Sequence, residues 1–315
     1  MKQELQTVRL NTYNTILQLA RKHRAEGLYQ MAEDLYKQVI AIARVVNEPE
    51  PHLLSAVLYE LANYYEFQAK DDQSELLWIE LKAYEQYFTS NHYIYVQCVF
   101  SLAQLNERRG NLDRSEALYK ELLKRQESEL GDESLDICPI LDQLAAFYCR
   151  QGKYNLAEAL HLRVLVIKEF YLGTCSPEIN YTVDALIDIF KKLTKWRLAE
   201  YMMNRQKGIL LALHGKDSLC VASCALRLAE LQTDTKQINR AIDNLSFAIQ
   251  VYKNKFGELA NPVISLQSKL DTLLICGMEM SFASSESSVY SNDEPITINL
   301  DSPNMTLAVP ALVTA

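Results

Sequence analysis

The sequence predicts an all-α chain: a right-handed superhelix (α-solenoid) of six antiparallel helix pairs plus a seventh capping helix. Three observations predict it. A leucine, followed by a small residue in several copies, returns at Leu19, Leu61, Leu102, Leu144, Leu186, Leu228 and Leu270, in steps of 42, 41, 42, 42, 42 and 42 residues. A fixed period between about 20 and 50 residues marks stacked supersecondary units. Apolar residues fall at i, i+3 and i+4 around these leucines, the stripe of an amphipathic helix. Nine glycines and eight prolines in 315 residues are too few for a loop-rich β fold.

With that leucine as reference, an apolar residue stands three positions before it in each complete unit: Ile16, Leu58, Val99, Leu141, Val183 and Ala225. Eight positions after it come Gly27, Gly110 and Gly152, where a C-cap with positive φ ends the first helix of the unit. Ala69, Thr194 and Lys236 hold that slot in the other units, whose turns are expected to be less sharply defined. Eleven positions after the leucine, Asp72, Asp113, Asn155 and Asn239 announce the second helix, and three further on come Glu33, Glu75, Glu116, Glu158 and Glu200. Asp or Asn followed by Glu at that interval reads as reciprocal capping of a helix N-terminus, and not as acid–base machinery.

Thirteen positions on, a small residue (Ala32, Ser74, Ser115, Ala157, Ala199, Ala241) lets the two helices approach. Seventeen on, a bulky one recurs: Tyr36, Trp78, Tyr119, His161, Met203 and Leu245. Gly131, Gly173, Gly215 and Gly257 stand where the second helix stops. Ser176-Pro177 and Asn261-Pro262 restart the next first helix, with a cap residue before a proline at the first helical position.

These columns resemble the tetratricopeptide repeat: Leu, a small residue, Tyr four after the Leu (Tyr65, Tyr148), Ala at the thirteenth position and an aromatic at the seventeenth. The usual unit has about 34 residues, and the extra length amounts to roughly one added turn on each helix. With Gly173-Thr174-Cys175-Ser176-Pro177 joining units, the chain resembles the long variant of kinesin light chains and many bacterial scaffold proteins, over residues 13–277. It departs from that family at the Asn-Asn pair before Leu-Ala, where it carries Tyr59-Glu60, Asp142-Gln143 and Asp184-Ala185. A repeat superhelix is therefore expected over 1–277, and a disordered, acidic, Ser-rich tail over 278–315, which has no Lys or Arg. Within the tail, Ile296–Leu300 suits strand addition to a partner's sheet edge, and the serines suit docking or phosphorylation.

Net charge is −8, which disfavours binding to a phosphate backbone or an anionic membrane surface, and no run of 18 apolar residues is present. A mixed polar N-terminus without an apolar signal core leads to a cytoplasmic expectation. Seven cysteines without a C-x-x-C pair read as small apolar fillers or surface thiols, Cys220 and Cys224 included. His23 and His161 fall in packing columns, His214 at a helix C-terminus, and His52 and His92 near turns between units. No phosphate loop, nucleophile elbow or metalloprotease spacing is found. No catalytic, cofactor-binding or metal-ligating residue is assigned, and no cofactor is expected. Trp196, beside the basic run Lys191 to Arg197, is read as a packing residue and not as a platform for nucleic-acid bases.

The resemblance implies that the first helices line a concave groove, with the positions two before and two, five and six after each leucine facing it. Units one to three then offer Arg21, Arg24 and Ala25; Tyr59, Asn63, Glu66 and Phe67; and Phe100, Gln104, Glu107 and Arg108. Unit six offers Leu226, Glu230, Thr233 and Asp234. Tyr59, Phe67 and Phe100 on adjacent units read as aromatic anchors; the competing reading has Phe67 and Phe100 packing between units two and three. The function expected is a non-enzymatic protein–protein interaction scaffold holding an extended or helical partner segment, its acidic end towards Arg21 and Arg24. A peptide- or ligand-responsive regulatory sensor is the alternative, and an enzyme the third class. Self-association stays open, because Leu270, Leu273 and Leu274 leave an apolar face at the end of the array.

Overall fold

The computed structural model describes residues 2–45, 51–87 and 93–286. Its thirteen α-helices are α1 (Lys2–Ala25), α2 (Tyr29–Val45), α3 (Pro51–Phe67), α4 (Asp71–Lys82), α5 (Tyr93–Arg108), α6 (Leu112–Leu130), α7 (Cys138–Arg150), α8 (Tyr154–Leu172), α9 (Pro177–Lys192), α10 (Trp196–His214), α11 (Leu219–Asp234), α12 (Ile238–Phe256) and α13 (Asn261–Glu286). No strand occurs among the described residues, as the leucine period predicts. Helix α13 runs past Gly277 to Glu286, while the expectations for His92 and for residues 287–315 lie outside the described residues. The chain forms two compact bodies, Met1–Phe147 and Tyr148–Ala315. In the first, α1 packs on α2, α3 on α4 and α5 on α6, with α2 against α3 and α4 against α5. In the second, α9 pairs with α10 and α11 with α12, while α8, α10 and α12 each pack on the helix that follows.

Burial follows the columns. Leu61, Leu102, Leu144, Leu186 and Leu228 are buried, as are all six small residues of the thirteenth column and all six bulky ones of the seventeenth. The two end leucines depart from the expected spine. Leu19 is 42% exposed, and α1 buries Tyr13, Leu17 and Ala20 instead. Leu270 is half-buried. Within the array the reference leucine faces the preceding unit: Leu228 packs among residues of α9 and α10. Trp196 departs too, being 42% exposed at the start of α10.

The turn within each pair is built six times on one pattern. The residue eight after the leucine donates its N–H three residues back, and the next donates five back: Gly152 to Cys149 at 3.0 Å and Lys153 to Tyr148 at 2.9 Å are one instance. This is a Schellman motif, which needs a left-handed residue at its centre. Gly27, Gly110 and Gly152 supply it with φ of 77°, 79° and 72°. Ala69, Thr194 and Lys236 supply it equally, with φ of 56°, 57° and 61° and the same pair of bonds. The expectation of looser turns in those units is therefore wrong: six hydrogen-bonded turns of one kind tolerate three non-glycine residues.

The turn between units uses a different glycine conformation. Gly131, Gly173, Gly215 and Gly257 combine φ of 75° to 89° with ψ of 155° to 168°, a region that only glycine occupies readily. Side-chain capping follows this glycine. Ser134, Ser176 and Ser218 accept from the backbone N–H two residues on, at 3.3 to 3.4 Å, and open a short 3-10 turn before α7, helix α9 and helix α11. The corresponding residue before α13 is Ala260; Asn261 is the first residue of that helix, not its cap.

The second helices are not capped as predicted. Those with described caps begin ten residues after the leucine, and Lys70, Asn111, Lys153, Lys195 and Gln237 precede them without a side-chain bond to the helix. The glutamate column works between units. Glu33 accepts from Tyr65 Oη at 3.0 Å and Lys70 Nζ at 3.1 Å of the next unit, and from Lys37 Nζ at 2.7 Å. Glu200 accepts from Gln232 Nε2 at 2.9 Å and Gln237 Nε2 at 2.7 Å, which occupy the two positions equivalent to Tyr65 and Lys70. Glu158 takes Lys195 Nζ at 2.6 and 2.8 Å, and Glu75 pairs with Arg109. In these four units the column clamps the second helix to the following pair of its own body.

Candidate partner-binding site

The residues of units one to three read as a groove all belong to the first body, on α1, α3 and α5. The repeat period puts them on the first helices, outside the leucine and the small residue that follows it. Their charges are partly spent within the protein. Arg21 Nε donates to both Glu60 oxygens, at 2.9 and 3.1 Å, and Glu60 also accepts from Tyr36 Oη at 3.0 Å. The Glu60 hydrogen bond raises the Arg21 pKa further above its ordinary value, while burial pushes the Tyr36 phenol up. Arg108 Nη2 lies 3.2 Å from Asp71 Oδ1. Arg24 is exposed near the end of α1, one turn beyond Arg21.

The three aromatics sit in three surroundings. Tyr59 is half-buried, edge-on to Trp78 at 5.7 Å and to Tyr93 at 5.9 Å between ring centroids. Its hydroxyl donates to Tyr93 Oη at 3.2 Å, and burial first, then that bond, pushes its pKa up to about 12. Phe67 is 76% exposed at the end of α3, with Tyr29 6.4 Å away. Phe100 is only 9% exposed and packs on Tyr119 at 6.1 Å. Asn63 uses its Nδ2 on the Tyr59 carbonyl of its own helix at 2.9 Å, and Gln104 is exposed. Phe67 is thus available to a partner, Tyr59 in part, and Phe100 is a packing residue.

Two features depart from the column reading. Tyr29 and Tyr93, exposed at helix starts, extend the aromatic surface beside Phe67 and Tyr59; the only sequence signal for them is an aromatic at a first helical position. Glu66, which the repeat columns put on the groove, points inward instead, accepting from Trp78 Nε1 at 3.1 Å and Ser101 Oγ at 3.4 Å. Burial raises its pKa above the usual carboxylate value, against those bonds and the charge of Arg108. Its neighbour in sequence is the most exposed aromatic of this surface, so α3 ends with a carboxyl held inside and a phenyl ring held out.

Thiols divide by burial. Cys98, Cys138 and Cys224 are buried, and Cys175 and Cys220 exposed. Cys220 and Cys224 are thus one outside and one inside: Cys224 Sγ lies 3.7 Å from both Met203 O and Gln206 Oε1. Among the described residues no group of three or more His, Cys, Asp or Glu is placed to hold a metal ion, and no helix is long and apolar enough to cross a membrane.

Comparison with known proteins agrees with the helix pairing. Residues 15–50 and 95–169 each match a family model described as tetratricopeptide repeat. No curated protein matches the chain. Among solved structures, BtubC (BKLC) from P. vanneervenii is similar over 64% of this chain and 81% of its own, at 21% identity and a TM-score of 0.54. A putative kinesin light chain from P. anserina with nearly identical TPR-like repeats is similar over 64% of this chain and 96% of its own, at 20% identity and a TM-score of 0.52. The apo form of RapI aligns with 86% of this chain and 99% of its own, at 10% identity and a TM-score of 0.52.

Proposed function

From a chain that carries tetratricopeptide repeats of the long, kinesin-light-chain-like kind, we propose a non-enzymatic interaction scaffold that binds a protein segment on the outward face of α1, α3 and α5. The observation that carries this reading is Phe67, three-quarters exposed at the end of α3 beside the exposed Tyr29. Phe67 and Tyr29 leave two neighbouring rings in water on a scaffold that buries Trp78, Tyr36 and Tyr119 completely. A few such anchors carry most of the free energy of a protein interface. Tyr59 and Tyr93 supply a second anchor, with polar hydroxyls at its rim.

The cations narrow the partner. Arg21 is held by Glu60 and Arg108 by Asp71, so each offers a partner less than a free guanidinium does. Arg24 is the exposed cation best placed to meet an acidic residue. The segment that suits the face is largely apolar, with one carboxylate towards α1, and Asn63 and Gln104 alongside it.

The test is photo-crosslinking in cells of the full chain, with p-benzoylphenylalanine in place of Phe67 or, as a control, Phe170. A discrete adduct from position 67 that is lost on Arg24→Glu, and absent from position 170, supports the reading. Identical adduct patterns from both positions, or none from position 67, refute it. Circular dichroism of the variants checks that helicity is unchanged.

A further inference from the structure

A cavity of about 350 Å³ lies among α11, α12 and α13 of the second body, far along the chain from the surface proposed above. One residue of the bulky column lines it. In units one to three the seventeenth position after the leucine holds Tyr36, Trp78 and Tyr119, each with its ring fully buried. Unit six holds Leu245 there, a smaller side chain, and it lines the cavity. Leu226, Leu266 and Leu273 complete an apolar wall. The volume is at the lower end of the ~300–1,000 Å³ of known ligand sites, so it suits a few apolar groups and not a folded element.

The rim is acidic. Glu230 and Asp234 stand one turn apart on α11, facing Lys269 of α13. Lys269 Nζ reaches Glu230 at 3.8 Å, and both side chains are largely exposed, a pairing of little energetic value. Asp234 is the last residue of α11, where the unsatisfied carbonyls of the helix add partial negative charge. A cation brought to this rim meets Asp234, Glu230 and the end of the helix together. The chain's own C-terminal segment cannot supply it, because no Lys, Arg or His follows Lys269.

We propose that this cavity is a second binding site, independent of the first body's surface, for a partner segment in which an apolar side chain adjoins a Lys or Arg. The apolar group enters among the leucines and the cation rests on Asp234 and Glu230. Leu226, Glu230, Thr233 and Asp234, which the repeat period puts on the outward face of unit six, all line it.

The test uses the full chain and two fluorescein-labelled pools of eight-residue peptides. In one pool Leu, Met or Phe is flanked by Lys or Arg; in the other every cation is replaced by Glu. Fluorescence anisotropy at low salt should show binding of the cationic pool only. Asp234→Lys should weaken it by about tenfold or more, as for other close charge contacts. Leu245→Phe should weaken it by filling the cavity while leaving the melting temperature equal or higher. Phe67→Ala should leave it unchanged. Equal binding of both pools, binding by neither, full binding in Asp234→Lys and Leu245→Phe, or loss on Phe67→Ala would each overturn the assignment. Because the crosslinking at position 67 probes the other body, either proposal can fail while the other stands.

Discussion

Replacing Gly173 with alanine should destabilise the fold more than replacing Gly152, although a Cβ added at either position meets nothing within 4 Å. The difference lies in the backbone. Gly152 is the left-handed residue of a Schellman turn, a conformation that costs an L-residue roughly 1–2 kcal/mol. Alanine recovers about 0.4–1 kcal/mol of this by restricting the unfolded chain, so the net cost is ~0.5–1 kcal/mol. Gly173 has φ 77° and ψ 165°, where an alanine pays towards the top of the ~1–3 kcal/mol range for disfavoured backbone, for a net cost of about 2 kcal/mol. Thr194→Gly runs the other way: a β-branched residue at φ 57° is relieved, and stability should rise by ~0.5–1 kcal/mol. Gly208→Ala calibrates the scale, because Gly208 lies inside α10 with open space around it and alanine there should add ~0.5–1 kcal/mol. Repeat arrays open locally, so native-state hydrogen exchange at the amides of each turn is a better assay than one melting temperature. Equal losses at Gly152 and Gly173, or a loss at Thr194→Gly, would refute the distinction between the two turns.

Two glutamates of the first body should respond oppositely to neutralisation. At Glu33 burial raises the pKa, but bonds from Lys37, Lys70 and Tyr65 outweigh it and hold the carboxyl below its usual value. Its stabilisation is present above the unfolded pKa and is lost as pH falls through the depressed folded value. Glu33→Gln should therefore cost on the order of 1 kcal/mol at pH 7 in urea titrations, and the difference should fade in acid. At Glu66 burial wins and the folded pKa is raised, so folding gains as pH falls through that value; Glu66→Gln, which keeps an acceptor for Trp78, should be neutral or stabilising at pH 7. Losses of equal size at both positions would contradict the pairing of causes. Thiol labelling of the native chain with an aromatic disulfide should consume Cys175 and Cys220 quickly, while Cys98 and Cys224, whose pKa values burial pushes up to about 12 and about 11, react only on unfolding. Rapid modification of Cys98 in folded protein would show that α5 does not pack on α4 as described.

The leucine period reads the helix pairs correctly because burial dictates it: a residue wedged between two helices has few replacements, and the five leucines from Leu61 to Leu228 are all buried. Capping was misread because Asp72, Asp113 and Asn155 lie inside the second helices, one residue beyond their starts, and because a glutamate column looks alike whether it bonds its own helix or the next. Only the register between units separates those readings: Glu33 with Lys70, Glu158 with Lys195 and Glu200 with Gln237 are each 37 residues apart. The turn glycines were half legible for the same kind of reason. A left-handed slot accepts Ala69, Thr194 or Lys236 at moderate cost, so its column is broken; the slot of Gly173 excludes every side chain, so from unit three onward its column is unbroken.

The candidate surface was less legible than the scaffold, and the contrast between Phe67 and Phe100 shows why. Both are phenylalanines on first helices, at positions the repeat directs outward, yet one is exposed and the other buried on Tyr119. Phe100 stands two before its leucine and Phe67 six after, where α3 is ending and no following helix reaches over it. Whether an outward position is covered depends on the size of the neighbour's side chain, a property of two units at once that a single column does not record. The cavity beside Leu245 lies where the same column carries a leucine in place of the rings of units one to three. A repeat sequence therefore specifies its fold by what recurs, and its binding surfaces by where a recurring size or charge fails to be met. Phe67 and Leu245 are two such failures, one leaving a side chain without cover and the other leaving cover without a side chain.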